Sequence, residues 1–422
     1  MKVWLFNPYG PLPDEAWRPY RFSMLAEALA AGGHTVVWWT SSFSHHFKRH
    51  RSVGAEERSF GDRFAVRLVP TPGYSSNISV GRMSRDFVFA ARAYRSAIRD
   101  PPPDVVVSAE SPLTVGFAGP RVARHFGVPF VSDVMDLWPE LFEVVFPRWL
   151  KPWSPALFKP IAASRRRHWR RAAAIVALCD SYLAVAREAV SGGSAEKRFG
   201  IVYNGIDVAL LRRSIPVGVS GDPARSVPTD GLVRVIFAGS LGPNYDIPVI
   251  LEMARRDKGR GGQRRYSVTV AGDGPQRTSV ERAAEEGVCR YLGAIKPAEL
   301  AAAYADADVA LCAYAPGSNV GIPDKFYDYV AAGLPIVNSL RGDVARIISD
   351  SGVGRQYRAG SAESMLQELD ALTADAGEMQ RASASAWQIG TRYDAAAQFA
   401  EYVRLIEEVG RSSRSPAPES PN

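Results

Sequence analysis

Cysteine is scarce in this chain of 422 residues. Cys179, Cys289 and Cys312 lie far apart, and no C-x-x-C or Cys/His cluster accompanies them. That excludes a disulfide framework and argues against a structural zinc site. It fits a reducing, cytoplasmic compartment. Long apolar runs are missing too. The N-terminal run ends at Phe6, too short for a signal-peptide core. No uncharged stretch of about 18 apolar residues could form a spanning helix. Histidine is sparse, with six in all. With 46% hydrophobic and 23% charged residues, neither a disordered nor a collagen-like chain is in play.

What is present is an alternation. Short apolar runs such as Lys2–Phe6, Thr35–Trp39, Val66–Val69, Val105–Val107, Val128–Ser132 and Ala174–Leu178 are separated by amphipathic stretches. The first of those reads as a helix over Glu15–Ala31, stopped by Gly32-Gly33. Continuous β-branched runs between helices indicate a parallel sheet covered on both faces. The pattern breaks near SIPVGVSGDPARSVPT, a Ser/Pro/Gly-rich linker by composition. It restarts at Val233–Ala238, Tyr266–Ala271, Cys289–Leu292, Val309–Leu311 and Pro335–Val337. The expected fold class is therefore α/β, with two Rossmann-like doubly wound domains facing across a cleft. Their expected limits are 1–213, a linker at 214–230, and 231–391. A helix at 392–410 packs back on the first domain, and a disordered tail occupies 411–422.

Ligands of such domains sit at the carboxyl ends of the strands, so the strand-to-helix loops are where chemistry is expected. Gly239-Ser240-Leu241-Gly242 and Gly272-Asp273-Gly274-Pro275 would let backbone N–H groups approach an anion. Neither is G-x-G-x-x-G, so a diphosphate suits them better than a dinucleotide. In NVGIPDKFYDYVAAGLPIV, Lys325 falls in a first helical turn, where a cation gains nothing from the helix dipole unless a phosphate is there. Asp328 lies three residues on, able to face the same ligand or to form an ordinary surface pair with Lys325. In the first domain, Tyr9, Gly10, Arg18 and Arg21 follow the first strand. Glu110, Asp133, Met135 and Asp136 end later strands, where some serve a cleft and some only cap helices.

The charge is lopsided. Residues 1–200 carry 27 Lys and Arg against 17 Asp and Glu, a net +10, whereas residues 201–422 carry −3. Much of the excess lies in RWLKPWSPALFKPIAASRRRHWRR, residues 148–171, which has eight basic and no acidic residues. Trp149, Lys151, Trp153, Arg165, Arg166 and Arg167 suggest contact with an anionic membrane surface. A solvated helix with an inward apolar face is the plain alternative. Nucleic acid is disfavoured, because no recognised module accompanies the charge.

Together these loops resemble the retaining glycosyltransferases of family 4, which have the GT-B fold, over roughly residues 1–405. Asp136-Leu137-Trp138-Pro139-Glu140 resembles the D-L-W-P-E hallmark of a subgroup acting on capsule, O-antigen and related polysaccharides. Asn204-Gly205-Ile206-Asp207, the two glycine loops and PDKFYDYVAAGLPIV match further motifs in order. The resemblance implies a nucleotide-sugar donor, UDP by default. Gly239, Ser240, Gly242 and Lys325 would hold its diphosphate, Ile295 would lie near the base and Asp328 on the ribose, with Gly272, Gly321, Asp324 and Phe326 as further donor-binding residues. It implies no cofactor and no metal, with basic groups and helix N-termini neutralising the leaving group. Lys325, Glu110 and Asp136 become the catalytic candidates. Tyr9, Gly10, Arg18, Arg21, Asp133 and Met135 become the acceptor side, for a glycan, lipid-linked or small-molecule acceptor. An acceptor of the lipid-linked kind would place the enzyme at the inner face of the membrane. Three positions depart from the family pattern: Val320, Ser240 and Met135. Two alternatives stay open: a sugar-nucleotide 2-epimerase of the same fold, and a catalytically degenerate partner protein.

Overall fold

The computed structural model describes all residues except 16, 76–78, 112–116, 138–152, 193–196, 214, 216–224, 226, 229, 260–263 and 413–422. Trp138, Pro139, Glu140, Trp149, Lys151 and most of the expected linker lie outside the described residues. Two compact units emerge. One comprises Met1–Asn204 with the chain from Gln398 onward, the other Gly205–Ala397.

The first unit runs β1 (Lys2–Phe6), α1 (Arg21–Ala31), β2 (Thr35–Ser41), β3 (Phe43–Ser44), β4 (Arg49–His50), β5 (Glu56–Ser59), β6 (Phe64–Val69), α2 (Val80–Ala97) and β7 (Val105–Ala109). It continues through α3 (Ala118–Phe126), β8 (Phe130–Val134), α4 (Ser154–Arg171), β9 (Ala174–Ala177), α5 (Asp180–Val190) and β10 (Arg198–Ile201). Among the described residues its main sheet has the order β10-β9-β8-β7-β1-β2-β6-β5. All neighbours are parallel except β5 against β6. The central strands are apolar on both faces: Val3 to Phe6 and Val105 to Val107 are fully buried. That is why they read as unbroken apolar runs. The change of direction on either side of β1 is the switch point at which such sheets take ligands.

The second unit opens with α6 (Val208–Arg212) and β11 (Val233–Ala238), then α7 (Ile247–Lys258), β12 (Tyr266–Ala271), α8 (Arg277–Glu285), β13 (Arg290–Gly293), α9 (Pro297–Asp306) and β14 (Val309–Cys312). Next come α10 (Asp324–Ala331), β15 (Ile336–Asn338), α11 (Asp343–Ser351), β16 (Gly354–Gln356), α12 (Ala362–Ala374) and α13 (Ala376–Gly390). Its sheet is parallel, in the order β13-β12-β11-β14-β15-β16. The last helix, α14 (Ala395–Ser412), lies mostly in the first unit. There Glu407 accepts from His34 at 2.9 Å, and Gly410 packs on Met1 and Val105.

Several boundaries differ from the sequence reading. α1 starts at Arg21 instead of Glu15. Pro19 disfavours helix at the residue before it, and Glu15 is engaged by Arg51 at 2.7 Å instead. The units divide after Asn204 instead of after residue 213. Arg212 draws α6 into the second unit: its Nε donates to Ala331 O at 3.0 Å and its guanidinium stacks 3.5 Å from the Trp387 ring centroid. α14 also runs two residues into the segment expected to be a disordered tail.

Candidate nucleotide-sugar site and the loops around it

In the second unit, the loops after β11 and β12 brace each other. Gly239 N–H donates to Ala271 O, Leu241 N–H to Asp273 O and Gln276 N–H to Leu241 O, each at 2.9 Å. The glycines are required by this contact. Gly272 has φ 139°, and a Cβ there would stand 1.8 Å from Gly239 O. Gly274, at φ 152°, would strike the Leu241 backbone at 2.8 Å. Tyr291 Oη adds a bond to Gly272 O at 2.9 Å. Ser240 is exposed at the tip of this pair of loops, Gly242 is buried, and Ile295 is half-buried in the turn after β13.

α10 supplies the charge. From Lys325 to Ala331 every residue of this helix is buried, so its one basic side chain has nowhere to be solvated. Lys325 Nζ lies beside the Gly239 backbone, where an added Cβ would be 2.7 Å away. It faces the rings of Phe237, Tyr245 and Tyr314 at 3.8, 4.1 and 5.3 Å from their centroids. Among the described residues it has no hydrogen-bond partner. Burial lowers its pKa from 10.5 to about 7, with Asp328 pulling the other way. The π-faces of the rings replace part of the lost hydration. The amine is thus held in a polarising but unpaired position at the carboxyl ends of β11 and β14.

Asp324 is half-buried at the start of α10, Gly321 is buried just before it, and Phe326 is fully buried against Tyr393. Asp328 turns inward: its Oδ2 accepts from the buried Tyr304 hydroxyl at 3.2 Å, and the residue is 4% exposed. The aromatic cage was not foreseen. Phe237, Tyr245 and Tyr314 are distant in sequence, and only adjacent strand ends bring them together.

The first unit treats its charges differently. Arg21 Nε meets Asp133 Oδ2 at 2.7 Å, with both side chains fully buried. Arg21 also donates to Val202 O at 2.6 Å, and its guanidinium lies 5.3 Å from the Tyr402 ring centroid. This pair ties α1, β8 and α14 together. It is a correction to the acceptor-side reading, because neither group reaches solvent. Arg165 is a second correction. It is 6% exposed and faces Glu110 at 3.9 Å, with Trp169 stacked beside it, so it cannot touch a membrane. Arg166 and Arg167 on the opposite side of α4 are exposed, as is Trp153 at its start.

Asp136 presents its side chain to solvent. Dense packing around it pushes the carboxyl up, to about 6, against the attraction of Arg82. Open access to water limits that shift. Met135 Sδ accepts from Asn7 Nδ2 at 3.8 Å. Gly10 makes the turn after β1 at φ 105°, and Arg18 is half-buried beyond it. Tyr9 Oη donates to Asp86 at 3.0 Å and accepts from Arg82 Nε at 2.9 Å. Among the described residues no group of three His, Cys, Asp or Glu side chains is arranged to hold a metal ion. No described helix is long and apolar enough to cross a membrane.

Comparison with known proteins agrees with this architecture. Residues 20–205 match the family described as Glycosyl transferase 4-like domain, and residues 233–375 the one described as Glycosyl transferases group 1. A GDP-mannose-dependent alpha-mannosyltransferase of Mycolicibacterium smegmatis is 26% identical over 240 residues. That match takes in 56% of this chain and 55% of the relative, so the chain spans about half the length of that protein. Among solved structures, the sucrose-phosphate synthase of Thermosynechococcus elongatus is similar with TM-score 0.70 at 12% identity, covering 97% of this chain and 99% of that one. Anabaena HepE in complex with UDP-glucose gives 0.63 at 14% identity, with the same coverage. At such identities these two likenesses speak for the fold. With both family matches in order along two parallel-sheet units, the chain belongs to the family 4 type of GT-B glycosyltransferases.

Proposed function

We propose that this chain transfers a sugar from a nucleoside diphosphate sugar to a hydroxyl acceptor, with retention and without a metal ion. The work serves polysaccharide or cell-envelope glycan synthesis in the cytoplasm, at the inner face of the membrane. One observation carries the reading: the buried Lys325 amine, with no hydrogen-bond partner among the described residues, behind two interlocked glycine loops. An ammonium held there is costly until an anion arrives. The diphosphate of the donor supplies two negative groups of suitable size.

In this reading the bond from the anomeric carbon to the phosphate oxygen breaks, and the diphosphate leaves with its electron pair. Lys325 and the N-terminal end of α10 stabilise that charge where it develops. The acceptor oxygen bonds to the same face of the sugar, and its proton passes to the leaving phosphate oxygen. Asp328 would take the ribose after turning from Tyr304. Asp136, exposed just after β8, stands as the carboxylate for the acceptor, whereas Glu110 is buried against Arg165. The donor is a UDP- or GDP-sugar; the family resemblance favours the first, and the name of the mannosyltransferase relative favours the second.

The test is a thermal-shift titration of the full chain with UDP, GDP and their sugars, in EDTA. Saturation at a hundred times Kd adds about 2.7 kcal/mol of stability, and one base should give that response. Absence of any nucleotide response in folded protein would remove the proposal.

A further inference from the structure

The donor reading leaves a second charged cluster unused. It lies in the first unit, at the carboxyl ends of β1, β2 and β6. Arg82 and Arg85 sit three residues apart on α2, so both project from one face. Arg85 is entirely buried. Its Nη2 is 3.3 Å from Tyr74 Oη and 3.1 Å from Asp86 Oδ1. Its Nε and Nη1 have no hydrogen-bond partner among the described residues. The guanidinium lies 4.5 Å from the Tyr9 ring centroid. Arg82 is half-exposed, bonds Tyr9 and lies 5.1 Å from the same centroid.

Lys48 approaches from the turn between β3 and β4. Its Nζ is 4.5 Å from the Tyr74 ring centroid. Among the described residues it is the one non-glycine with positive φ, at 52°, a conformation that backbone sterics disfavour and that the surroundings must hold. His45 in the same turn is kept neutral by burial and by Lys48, Arg82 and Arg85, with its pKa down to about 3. Three cations therefore converge on two tyrosine rings. One carboxylate, Asp86, is bonded within the group, and a second, Asp136, lies in the field of Arg82. Like charges packed this closely repel, and an entering dianion relieves that repulsion. A planar guanidinium with two free N–H directions matches phosphate geometry.

We propose that Lys48, Arg82 and Arg85 bind a phosphate group of the sugar acceptor, so that the acceptor is a phosphate or diphosphate ester and not a neutral glycan. The inference rests on the glycosyltransferase reading for the word acceptor, and on the cluster alone for the phosphate. The cluster recognises the phosphate alone, so the ester's other half is either a lipid chain or a sugar.

The experiment is calorimetric titration of the full chain with farnesyl phosphate and with glucose 6-phosphate as probes, and with UDP and GDP in parallel. Either ester should bind the wild type. Lys48→Gln and Arg82→Gln should each weaken it about tenfold or more, the effect of losing one charge-assisted bond. Both variants should leave nucleotide binding unchanged, and Lys325→Met should leave ester binding unchanged. Both substituted side chains are part-exposed, so neither needs a buried charge replaced. Preference for the farnesyl ester assigns a lipid-linked acceptor, and preference for glucose 6-phosphate assigns a soluble sugar phosphate. Ester binding by neither probe, or binding that both variants retain in full, overturns the proposal. Loss of the nucleotide response alone would remove the donor reading and leave the phosphate site standing.

Discussion

Two buried cations in this molecule invite comparison. Arg21 and Lys325 each sit at the carboxyl end of a central parallel sheet, and each is almost sealed from water. Arg21 has a carboxylate partner, Asp133 at 2.7 Å, and donates to the Val202 carbonyl at 2.6 Å. Lys325 has aromatic rings and a glycine backbone beside it, with Asp328 acting on it through space but no hydrogen-bond partner among the described residues. A buried charge with its partner in place is part of the fold. A buried charge without one raises the free energy of the empty protein, a cost that a bound diphosphate would offset in the proposed reading. Position in the fold is the same for both; satisfaction separates them.

That contrast breaks cleanly under substitution. The largest effect expected is on catalysis. Lys325→Met should lower transfer by about 10²–10³-fold, while folding stability holds or rises by about 1–3 kcal/mol, as when other buried charges are replaced by apolar groups. Arg21→Ala should do the opposite. It strands the Asp133 carboxylate and should cost about 3–5 kcal/mol, with nucleotide affinity unchanged in the fraction that folds. Denaturant unfolding beside nucleotide titration reads both. If Arg21→Ala left stability unaltered, the partnered charge would not be structural.

The glycine brace sharpens the comparison further. Gly272→Ala places a Cβ 1.8 Å from Gly239 O at φ 139°. The two loops must separate, so nucleotide affinity should fall by roughly tenfold or more, for about 1–3 kcal/mol of backbone strain. Calorimetry checks this, and native affinity would show that the loops do not shape the site.

A smaller effect concerns protons. The folded pKa of Lys325, about 7, is below its ordinary 10.5. Between those values the unfolded chain holds a proton that the folded protein lacks. This group therefore adds stability as pH rises through that window. Lys325→Met should flatten the slope of unfolding free energy against pH from 7 to 10; an unchanged slope would mean that the amine titrates normally. Smallest of all, Arg166→Glu with Arg167→Glu should weaken co-sedimentation with anionic liposomes. Each basic group near such a surface adds about 1 kcal/mol. Equal sedimentation would make α4 an ordinary solvated helix.

How much of this was legible beforehand follows from the physics of each element. Strands buried on both faces were found because nothing polar interrupts them. β3, β4 and β5 were missed. The first two have only two residues each, and Glu56-Glu57-Arg58-Ser59 is polar throughout, with no period to read. Lys325 stood out as a lone cation at a helix start. Its cage did not, since Phe237, Tyr245 and Tyr314 belong to different strand ends. Arg21 and Asp133 were misassigned because their pairing spans 112 residues, and an ion pair leaves no local mark. Arg165 was grouped with its neighbours although its helical phase, shared with Trp169 one turn on, carries it inward.

The most direct test of the account is nucleotide binding by wild type and Lys325→Met, followed calorimetrically at pH 8 in two buffers of different ionisation enthalpy. A diphosphate beside Lys325 restores the amine's proton, so the wild type should take up about one proton per nucleotide, and the variant should bind weakly with no uptake. Equal affinity in the two proteins, with no proton taken up by either, would contradict the claim that this buried amine is the cation of the donor site.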